Sequence, residues 1–310
     1  MKNIKNPDNC VGNISAIQRY STKDGPGIRS TVFCMGCNLN CKWCSNPELI
    51  ENSVKIMSFE NKCKRCGACM NACDRGAISI TEKSSVIDRV KCDACGKCID
   101  ACPYDVYEKV GFNITPADLS AKLLRDKAFY DNSGGGVTFS GGEPALQPEF
   151  IIEIAKLLKE NGVSTALDTA GLIFWENLKA ILKHIDLVLY DLKAYASNMH
   201  LSCTGADNTL ILENARKIAD MGKRMVIRIP VVSGLNNSIS NMSSILYFVK
   251  SLGSAVEQVD ILNYHNLAEG KYMRLGLNYM LKDVKPCPDK EIEAIMHMSC
   301  DLGLKTTIGG

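Results

Sequence analysis

Apolar and polar positions follow a strand–helix rhythm along most of this chain. Short runs of β-forming residues alternate with segments whose apolar residues recur every three or four positions, the spacing of one helix face. The segment at about 147–160 places Phe150, Ile151 and Ile154 on one such face, and 207–221 has the same pattern. The predicted strands are 29–35, 136–140, 163–168, 186–191, 225–230 and 257–262, and further helices are predicted near 174–184, 238–251 and 289–302.

Repeated strand–helix units with apolar strands predict a parallel sheet of the α/β class. Six units are present, which suits an incomplete parallel (β/α)6 barrel at least as well as a doubly wound sheet. Periodicity alone does not decide between them. Residues 53–110 interrupt the rhythm, with eight cysteines and no long helix. We therefore predict a barrel from residues 1–52 and 111–310 and a small inserted domain at 53–110.

Composition narrows the class of protein. With 46% hydrophobic residues the 310-residue chain can bury a sizeable core, and a net charge of +2 favours neither nucleic acid nor an anionic membrane. Residues 1–7 lack the apolar stretch of a secretion signal, and no apolar run is long enough to predict a membrane span. We therefore expect a cytoplasmic protein, with no membrane or nucleic-acid partner.

Cysteine is the unusual residue: there are 16, and eleven fall in three tight clusters. In a reducing compartment they are better explained as metal ligands than as disulfides. Two runs in the insert have the spacing C-x2-C-x2-C-x3-C, typical of two-cluster ferredoxins, in which the fourth cysteine of each run binds the other cluster. Structural zinc sites are the alternative, but they usually use two separated pairs. The predicted ligand sets are Cys63, Cys66, Cys69 and Cys102 for one 4Fe-4S cluster, and Cys92, Cys95, Cys98 and Cys73 for its twin.

The third cluster of cysteines, Cys37, Cys41 and Cys44, follows the first predicted strand with the spacing C-x3-C-x2-C. Three thiolates cannot saturate the four irons of a cubane, so one iron keeps free coordination positions, as in an open catalytic zinc site. The carboxyl end of a parallel strand is where α/β folds place chemistry. The two insert clusters, each with four ligands, are instead suited to electron relay and to holding the insert together.

The residues around the third cluster resemble a known family. C-x3-C-x2-C with Trp43 before the last cysteine is similar to the radical S-adenosylmethionine (SAM) superfamily. The segments Asp24–Arg29, Thr31–Phe33 and Cys44–Glu48 resemble, more narrowly, the glycyl radical enzyme activating enzymes. The resemblance runs through most of the chain and includes the inserted two-cluster domain. It therefore implies the decarboxylase, lyase and diol-dehydratase type of activase, since the short pyruvate formate-lyase activase lacks that insert.

Further segments at predicted strand ends match the family's cofactor contacts. They include a Gly-Gly-Glu-Pro turn, whose glycines allow close backbone approach, and the pair Asp191 and Lys193, which point to one side of a strand. The motif after Asp168 has Ala170 where the family usually has Ser or Asn. The resemblance also implies that Asp168 and Asp191 hold a monovalent cation. The implied SAM contacts are Trp43, Cys44, Ser45, Gly141, Gly142, Glu143, Asp168, Asp191, Leu192, Lys193, Arg228 and His265.

The resemblance implies an oxidoreductase with three 4Fe-4S clusters. SAM would bind the open iron and be cleaved reductively to methionine and a 5′-deoxyadenosyl radical, which abstracts hydrogen from a glycine Cα of a partner glycyl radical enzyme. No side chain is assigned a catalytic role beyond the cluster and bound SAM. A flavodoxin or ferredoxin would donate the electron. The alternatives are a radical SAM enzyme that acts on a small molecule or peptide, and a ferredoxin-type electron carrier.

One residue departs from the family's pattern. Cys34 precedes Cys37 by three positions, where an apolar residue is more usual. It is interpreted as a small buried strand side chain; as a fourth thiolate it would close the open iron. Cys10, Cys203, Cys287 and Cys300 have no ligand spacing. The histidines other than His265 are predicted at the surface, for His200 and His297, or at a helix end, for His184.

Overall fold

A computed structural model describes residues 10–309 of the chain. The absence of a secretion signal was predicted from residues 1–7, which lie outside this range. The strands are β1 (Gly12–Ser21), β2 (Arg29–Cys34), β3 (Lys55–Ser58), β4 (Ile78–Ile80), β5 (Ser85–Ile87), β6 (Tyr107–Val110), β7 (Phe112–Ile114), β8 (Gly136–Gly141), β9 (Ser164–Thr169), β10 (Leu187–Asp191), β11 (Met225–Val231), β12 (Val256–Asn263) and β13 (Thr306–Ile308).

The structure confirms the five predicted helices and, within residues 10–309, shows six more. Gly134, Gly205 and Gly276 lie in the left-handed region directly after α4, α7 and α10 and end them, as glycine commonly does. The helices are α1 (Ala68–Asn71), α2 (Lys97–Asp100), α3 (Pro116–Leu123), α4 (Lys127–Ser133), α5 (Pro148–Glu160), α6 (Trp175–Leu182), α7 (Ser197–Thr204), α8 (Thr209–Asp220), α9 (Ile239–Ser251), α10 (Glu269–Leu275) and α11 (Asp289–Asp301).

One sheet of nine strands organises the molecule, in the order β13-β12-β11-β10-β9-β8-β2-β1-β7. The strands from β2 to β13 in this sheet are all parallel, whereas β1 and β7 are antiparallel additions at one edge. All six predicted strands are present. The missed ones, β1, β7 and β13, lack the buried apolar run that marks a central strand.

The helices decide between the two predicted architectures. The largest hydrophobic core joins one face of the sheet, including Leu167, Val188 and Ile227, to apolar residues of α3, α5, α6, α8, α9 and α11. The opposite face has only a small cluster made of strand residues: Ala166, Leu187, Leu189 and Val226. A doubly wound sheet has helices on both faces. This sheet has them on one face and is open between β13 and β7, as an incomplete barrel requires.

Residues 55–110 fold beside the barrel on two short antiparallel ladders, β3–β6 and β4–β5. Their apolar cluster consists largely of small strand residues and cysteines. The two halves have matching backbones: Arg65 and Ala94 have φ of 57° and 54°, and Gly67 and Gly96 precede α1 and α2 with φ of 80° and 95°. The repeat seen in the sequence is therefore also a structural repeat.

The helices of residues 10–309 are all too short or too polar to cross a membrane.

Candidate functional site

The loop that carries the third group of cysteines begins where β2 ends, at the carboxyl edge of the sheet. Backbone hydrogen bonds fix it on both sides: Cys37 N donates to Ile50 O at 2.8 Å, and Asn40 N donates to Thr204 O at 2.7 Å. Lys42 N donates to Cys203 O at 2.9 Å. The loop is therefore held in place by α7 and by its own return segment.

The three thiols of this loop are withdrawn from water. Burial raises the pKa of Cys37, Cys41 and Cys44 to about 11 in the metal-free chain. For all three, the nearby ammonium of Lys193 acts in the opposite direction. Buried thiolates require cationic partners, and a bound iron–sulfur cluster supplies them. The donor chemistry of the loop thus fits a cubane.

Cys34 does not belong to this group. Side chains alternate between the two faces of a strand, and Cys34 lies on the helix face, fully buried in the main core. Burial raises the pKa of its thiol to about 12, and the charge of Glu143 adds to the rise. The interpretation of Cys34 as a buried strand side chain is confirmed, and the open iron has no fourth thiolate from this position.

The glycine turn after β8 packs directly on the cysteine loop. Gly141 has φ of 111°, and a Cβ on it would lie 2.4 Å from Cys34 N. A Cβ on Gly142 would lie 2.1 Å from Gly36 O. The sequence suggested that these glycines admit a ligand; in the structure, the space beside them is occupied by the backbone of β2 and the loop. Glycine is therefore required here to bring the turn and the cysteine loop together.

Glu143, predicted as a SAM contact, has its side chain turned into the protein. It is 1% exposed and accepts hydrogen bonds from Thr169 Oγ1 at 2.7 Å, Ala170 N at 2.9 Å and Ala145 N at 3.2 Å. Burial raises its pKa to about 7, against the lowering effect of those donors. The carboxylate therefore joins the glycine turn to the end of β9, and the predicted SAM contact of Glu143 stays a prediction for its backbone.

Four charged side chains meet at the ends of β9, β10 and β11. Lys193 Nζ donates to Asp191 Oδ2 at 2.6 Å, so the predicted same-side pair is confirmed. Arg228 Nη1 lies 2.9 Å from Asp168 Oδ2 as an ion contact without hydrogen-bond alignment, and Ser140 Oγ donates to the same oxygen at 2.6 Å. All four are mostly buried, which excludes the surface ion pair that such residues more often form.

The charged side chains of this group shift one another's pKa values. Burial would raise the pKa of Asp191, but Lys193 and Arg228 outweigh it and lower that pKa. The pKa of Asp168 is raised, because burial and the charge of Asp191 together exceed the effect of Arg228. Asp191 Oδ1 and Arg228 Nη1 are buried without a hydrogen-bond partner. Since Arg228 Nη1 is already in ion contact with Asp168, Asp191 Oδ1 is the atom of this group that is available as an acceptor for a polar ligand.

The remaining predicted contacts are distributed around this centre. Trp43 is 8% exposed and packs with Cys203, Tyr264 and Tyr279, while Ser45 and His265 are exposed. The side chain of Leu192 points into the main core on the helix face, so its predicted contact with SAM stays a prediction for its backbone alone. Its backbone N donates to Arg228 O at 2.9 Å.

Sequence reasoning missed one contributor to the site and the burial of one histidine. The segment after β12 returns over the cysteine loop, and Lys271 Nζ donates to Asn46 Oδ1 and Glu48 Oε1, both at 2.6 Å. His200, predicted at the surface, is 1% exposed on α7 and pairs through Nδ1 with Ala206 O at 2.7 Å. Neither carried a local signal, because α7 has almost no amphipathic pattern and Lys271 lies more than 200 residues from its partners.

The insert cysteines line two separate cavities. One is lined by Cys63, Cys66, Cys69 and Cys102, and the other by Cys73, Cys92, Cys95 and Cys98, so each cavity takes its fourth cysteine from the other run. Hydrogen bonds reach the sulfurs: Ser85 N donates to Cys63 at 3.3 Å, Ala77 N to Cys73 at 3.3 Å and Tyr107 Oη to Cys69 at 3.2 Å.

Within residues 10–309, no three Cys, His, Asp or Glu side chains converge closely enough to hold a single metal ion. A cubane is held differently, by one thiolate at each separate iron corner.

Comparisons with known proteins agree with this geometry. A profile of the Radical SAM superfamily matches residues 31–241. The trans-4-hydroxy-L-proline dehydratase activating enzyme of Clostridioides difficile is 38% identical over 95% of this chain and 98% of its own length. The choline trimethylamine-lyase activating enzyme of Oleidesulfovibrio alaskensis is 35% identical, over 90% and 92%. A domain of a pyruvate-formate lyase-activating enzyme from Bacteroides vulgatus is 33% identical and superposes with a TM-score of 0.50, covering 57% of this chain and all of that domain.

Proposed function

This chain belongs to the glycyl radical enzyme activating enzymes of the radical SAM superfamily, and we propose how its residues divide that activity. With its 4Fe-4S cluster, the family cleaves SAM to methionine and a 5′-deoxyadenosyl radical, which takes hydrogen from a glycine Cα of the partner enzyme. The cluster would be held by Cys37, Cys41 and Cys44. The observation that carries this proposal is that their loop lies at the same sheet edge as the buried Asp168–Arg228–Asp191–Lys193 group.

SAM would occupy the space between this loop and the strand ends. Its carboxylate suits the ammonium of Lys193, and its hydroxyls suit Asp168 and the free Oδ1 of Asp191. The backbone of Gly141 and Gly142 would meet its amino group, with Trp43, Cys44, Ser45, Arg228 and His265 around it. Glu143 and Leu192 would contribute through their backbones. A monovalent cation would lie against Asp168 and Asp191, where Asp191 Oδ1 is the carboxylate oxygen without a hydrogen-bond partner.

Residues 53–110 would form a ferredoxin-like domain with two more 4Fe-4S clusters. The matching half-repeats, the two cysteine-lined cavities and the hydrogen bonds to the sulfurs support the ligand sets Cys63, Cys66, Cys69, Cys102 and Cys73, Cys92, Cys95, Cys98. A reduced flavodoxin or ferredoxin of the cytoplasm would supply the electron. Four thiolates on each cluster leave these irons no position for SAM.

The partner would be a glycyl radical enzyme of the group that the similar activases serve. Those activases include one for a dehydratase and one for a lyase, at 38% and 35% identity, and these values do not separate the two. Activation should therefore be compared on trans-4-hydroxy-L-proline dehydratase and choline trimethylamine-lyase side by side.

The test uses the reconstituted chain, reduced without oxygen in the presence of SAM. We expect release of 5′-deoxyadenosine and, with the partner, the electron paramagnetic resonance doublet of a glycyl radical. An electron carrier would give neither. A radical SAM enzyme with a small-molecule substrate would release 5′-deoxyadenosine but raise no radical in either protein, and that result would overturn the proposed partner class.

A further inference from the structure

Large apolar side chains are exposed mainly at one end of the barrel. In the connections that follow the carboxyl ends of the strands, Phe174 is 80% exposed after β9, and Ile239 is 74% exposed after β11. In the barrel connections within residues 111–309 that lead from a helix into the next strand, Met221 is the one exposed large apolar residue, at 39%. Scattered exposed apolar residues need no explanation, but a bias towards one end does.

The bias is strongest in the segment between β12 and α11, which we name the mouth segment (residues 264–288). Leu267, Met273, Leu277 and Met280 are 79%, 59%, 49% and 67% exposed within fourteen residues. This density is typical of protein–protein contact surfaces rather than of a solvated loop. Methionine side chains are flexible and polarizable, which suits a surface that must adapt to a partner.

The mouth segment is well anchored on its inner side. Asn263 and Cys287 close its base through two backbone–side chain hydrogen bonds of 2.9 Å. Tyr264 Oη and Tyr279 Oη are 2.7 Å apart, and both rings pack with Trp43 of the cysteine loop. Lys271 holds Glu48, and Leu275 packs against Met57 of β3. The exposed residues are therefore carried on a fixed support.

The reaction determines what can lie against this surface. Hydrogen abstraction requires the partner's glycine to come within contact distance of the site beside Cys37, Cys41 and Cys44. The body of the partner must then rest on the rim of the barrel mouth. A stable contact between two proteins buries at least about 1,000 Å² in total, so it extends beyond the glycine loop itself. The mouth segment is the part of the rim that touches both the cysteine loop and residues 55–110.

We propose that Leu267, Met273, Leu277 and Met280 form the docking surface for the glycyl radical enzyme, beside the opening through which its glycine loop enters. This inference rests on the proposed function and adds to it the surface that recognises the partner's folded body. A second copy of this chain and the electron donor are the other occupants that such a surface could take.

The test compares Met273→Glu/Met280→Glu, and each of its single variants, with Tyr247→Glu, which places one such charge on an exposed apolar position of α9 (65% exposed). The partner is the glycyl radical enzyme that the wild-type chain activates. We expect the double variant to need at least tenfold more partner for half-maximal glycyl radical, since charge in an interface opposes its desolvation. The Tyr247 variant should match the wild type.

Release of 5′-deoxyadenosine without partner, with dithionite as reductant, reports the cluster and SAM site alone, so it separates a failure of the proposed function from a failure of docking. It should change less than twofold in every variant. Equal partner dependence in wild type and double variant would overturn the docking surface. So would a shift confined to self-association in sedimentation, or one confined to reduction by flavodoxin, because these would assign the surface to a second copy or to the donor.

Discussion

The cysteine loop of the barrel and the cysteine runs of the insert present thiols in opposite ways. In the barrel, Cys37, Cys41 and Cys44 are held by distant backbone contacts and face the charged group centred on Arg228. In the insert, each cavity combines three cysteines of one run with one of the other, and backbone N–H groups donate to Cys63 and Cys73. Saturated, hydrogen-bonded clusters are suited to storing and passing electrons, whereas a cluster with one thiolate missing needs an outside ligand and is suited to chemistry.

Among the substitutions that test this difference between the two kinds of cysteine site, Cys41→Ala should have the largest effect on activity. Removing one of three thiolates should abolish the open cluster, and 5′-deoxyadenosine release should fall at least about a thousandfold, because this chemistry is the cofactor's. The matched control is Cys34→Ala, a buried cysteine on the other face of the sheet. It should retain iron, activity and the change that SAM causes in the cluster's paramagnetic resonance signal. A loss of the cluster in the Cys34 variant would contradict the trithiolate site.

The proposed crossed ligation in the insert predicts that a double substitution costs no more iron than either single one. Cys63→Ala and Cys102→Ala should each lower bound iron from about 12 to about 8 atoms per chain, because each removes a ligand of the same cubane. The double variant should also hold about 8. If each run instead served its own cluster, the double variant would fall to about 4. Iron and sulfide analysis of anaerobically purified protein measures this, and 5′-deoxyadenosine release with dithionite should persist in all three.

Charge in the barrel site is tested by Arg228→Ala. The variant leaves Asp168 and Asp191 close together without their shared cation, so SAM affinity should fall about 10- to 100-fold. Unfolding should also become easier by as much as about 3 kcal/mol. Arg224→Ala, which removes the exposed ion pair with Glu257, should cost less than about 1 kcal/mol and leave SAM binding unchanged. Urea unfolding and calorimetric SAM titration give both values; equal costs for the two variants would contradict the buried network.

The smallest effect is a change in pH dependence from Glu143→Gln. The pKa of Glu143 is raised from 4.5 to about 7 by burial, so the folded state binds a proton more tightly than the unfolded state. Its contribution to stability is full below pH 4.5 and is lost as the pH rises to 7, by at most about 3 kcal/mol. The Gln variant should show a flatter curve of unfolding free energy over pH 4.5–7 than the wild type.

Glu160→Gln, at the exposed end of α5, makes the same chemical change and serves as the control for Glu143. Its stability curve should run parallel to that of the wild type. If the Glu143 variant is also parallel, the Glu143 carboxyl group titrates alike in the folded and the unfolded state over this range. That outcome would contradict the raised pKa of Glu143, while its hydrogen bonds to the end of β9 would remain possible for an ionised carboxylate.

Much of the fold could be predicted from the sequence, because the patterns that mark its central strands and helices lie within short segments. The buried runs of β8 to β12 and the single apolar face of α5 can each be predicted from a window of at most fifteen residues. Edge strands such as β7 and β13 escaped prediction, since three residues with mixed burial carry no pattern. Leu192 stands between two site residues, but the alternation of a strand turns its side chain to the opposite face, which leaves its backbone at the site.

The sequence alone determined the chemistry of this protein, because thiolate spacing decides which irons can be saturated, and that spacing is a property of neighbouring residues. Tertiary structure decided the partners of the charged and buried groups. It turned Glu143 inward, left Cys34 in the core, placed Arg228 between two carboxylates and folded the mouth segment over the cysteine loop. These contacts join residues up to 225 positions apart, and only the packed fold brings such residues together.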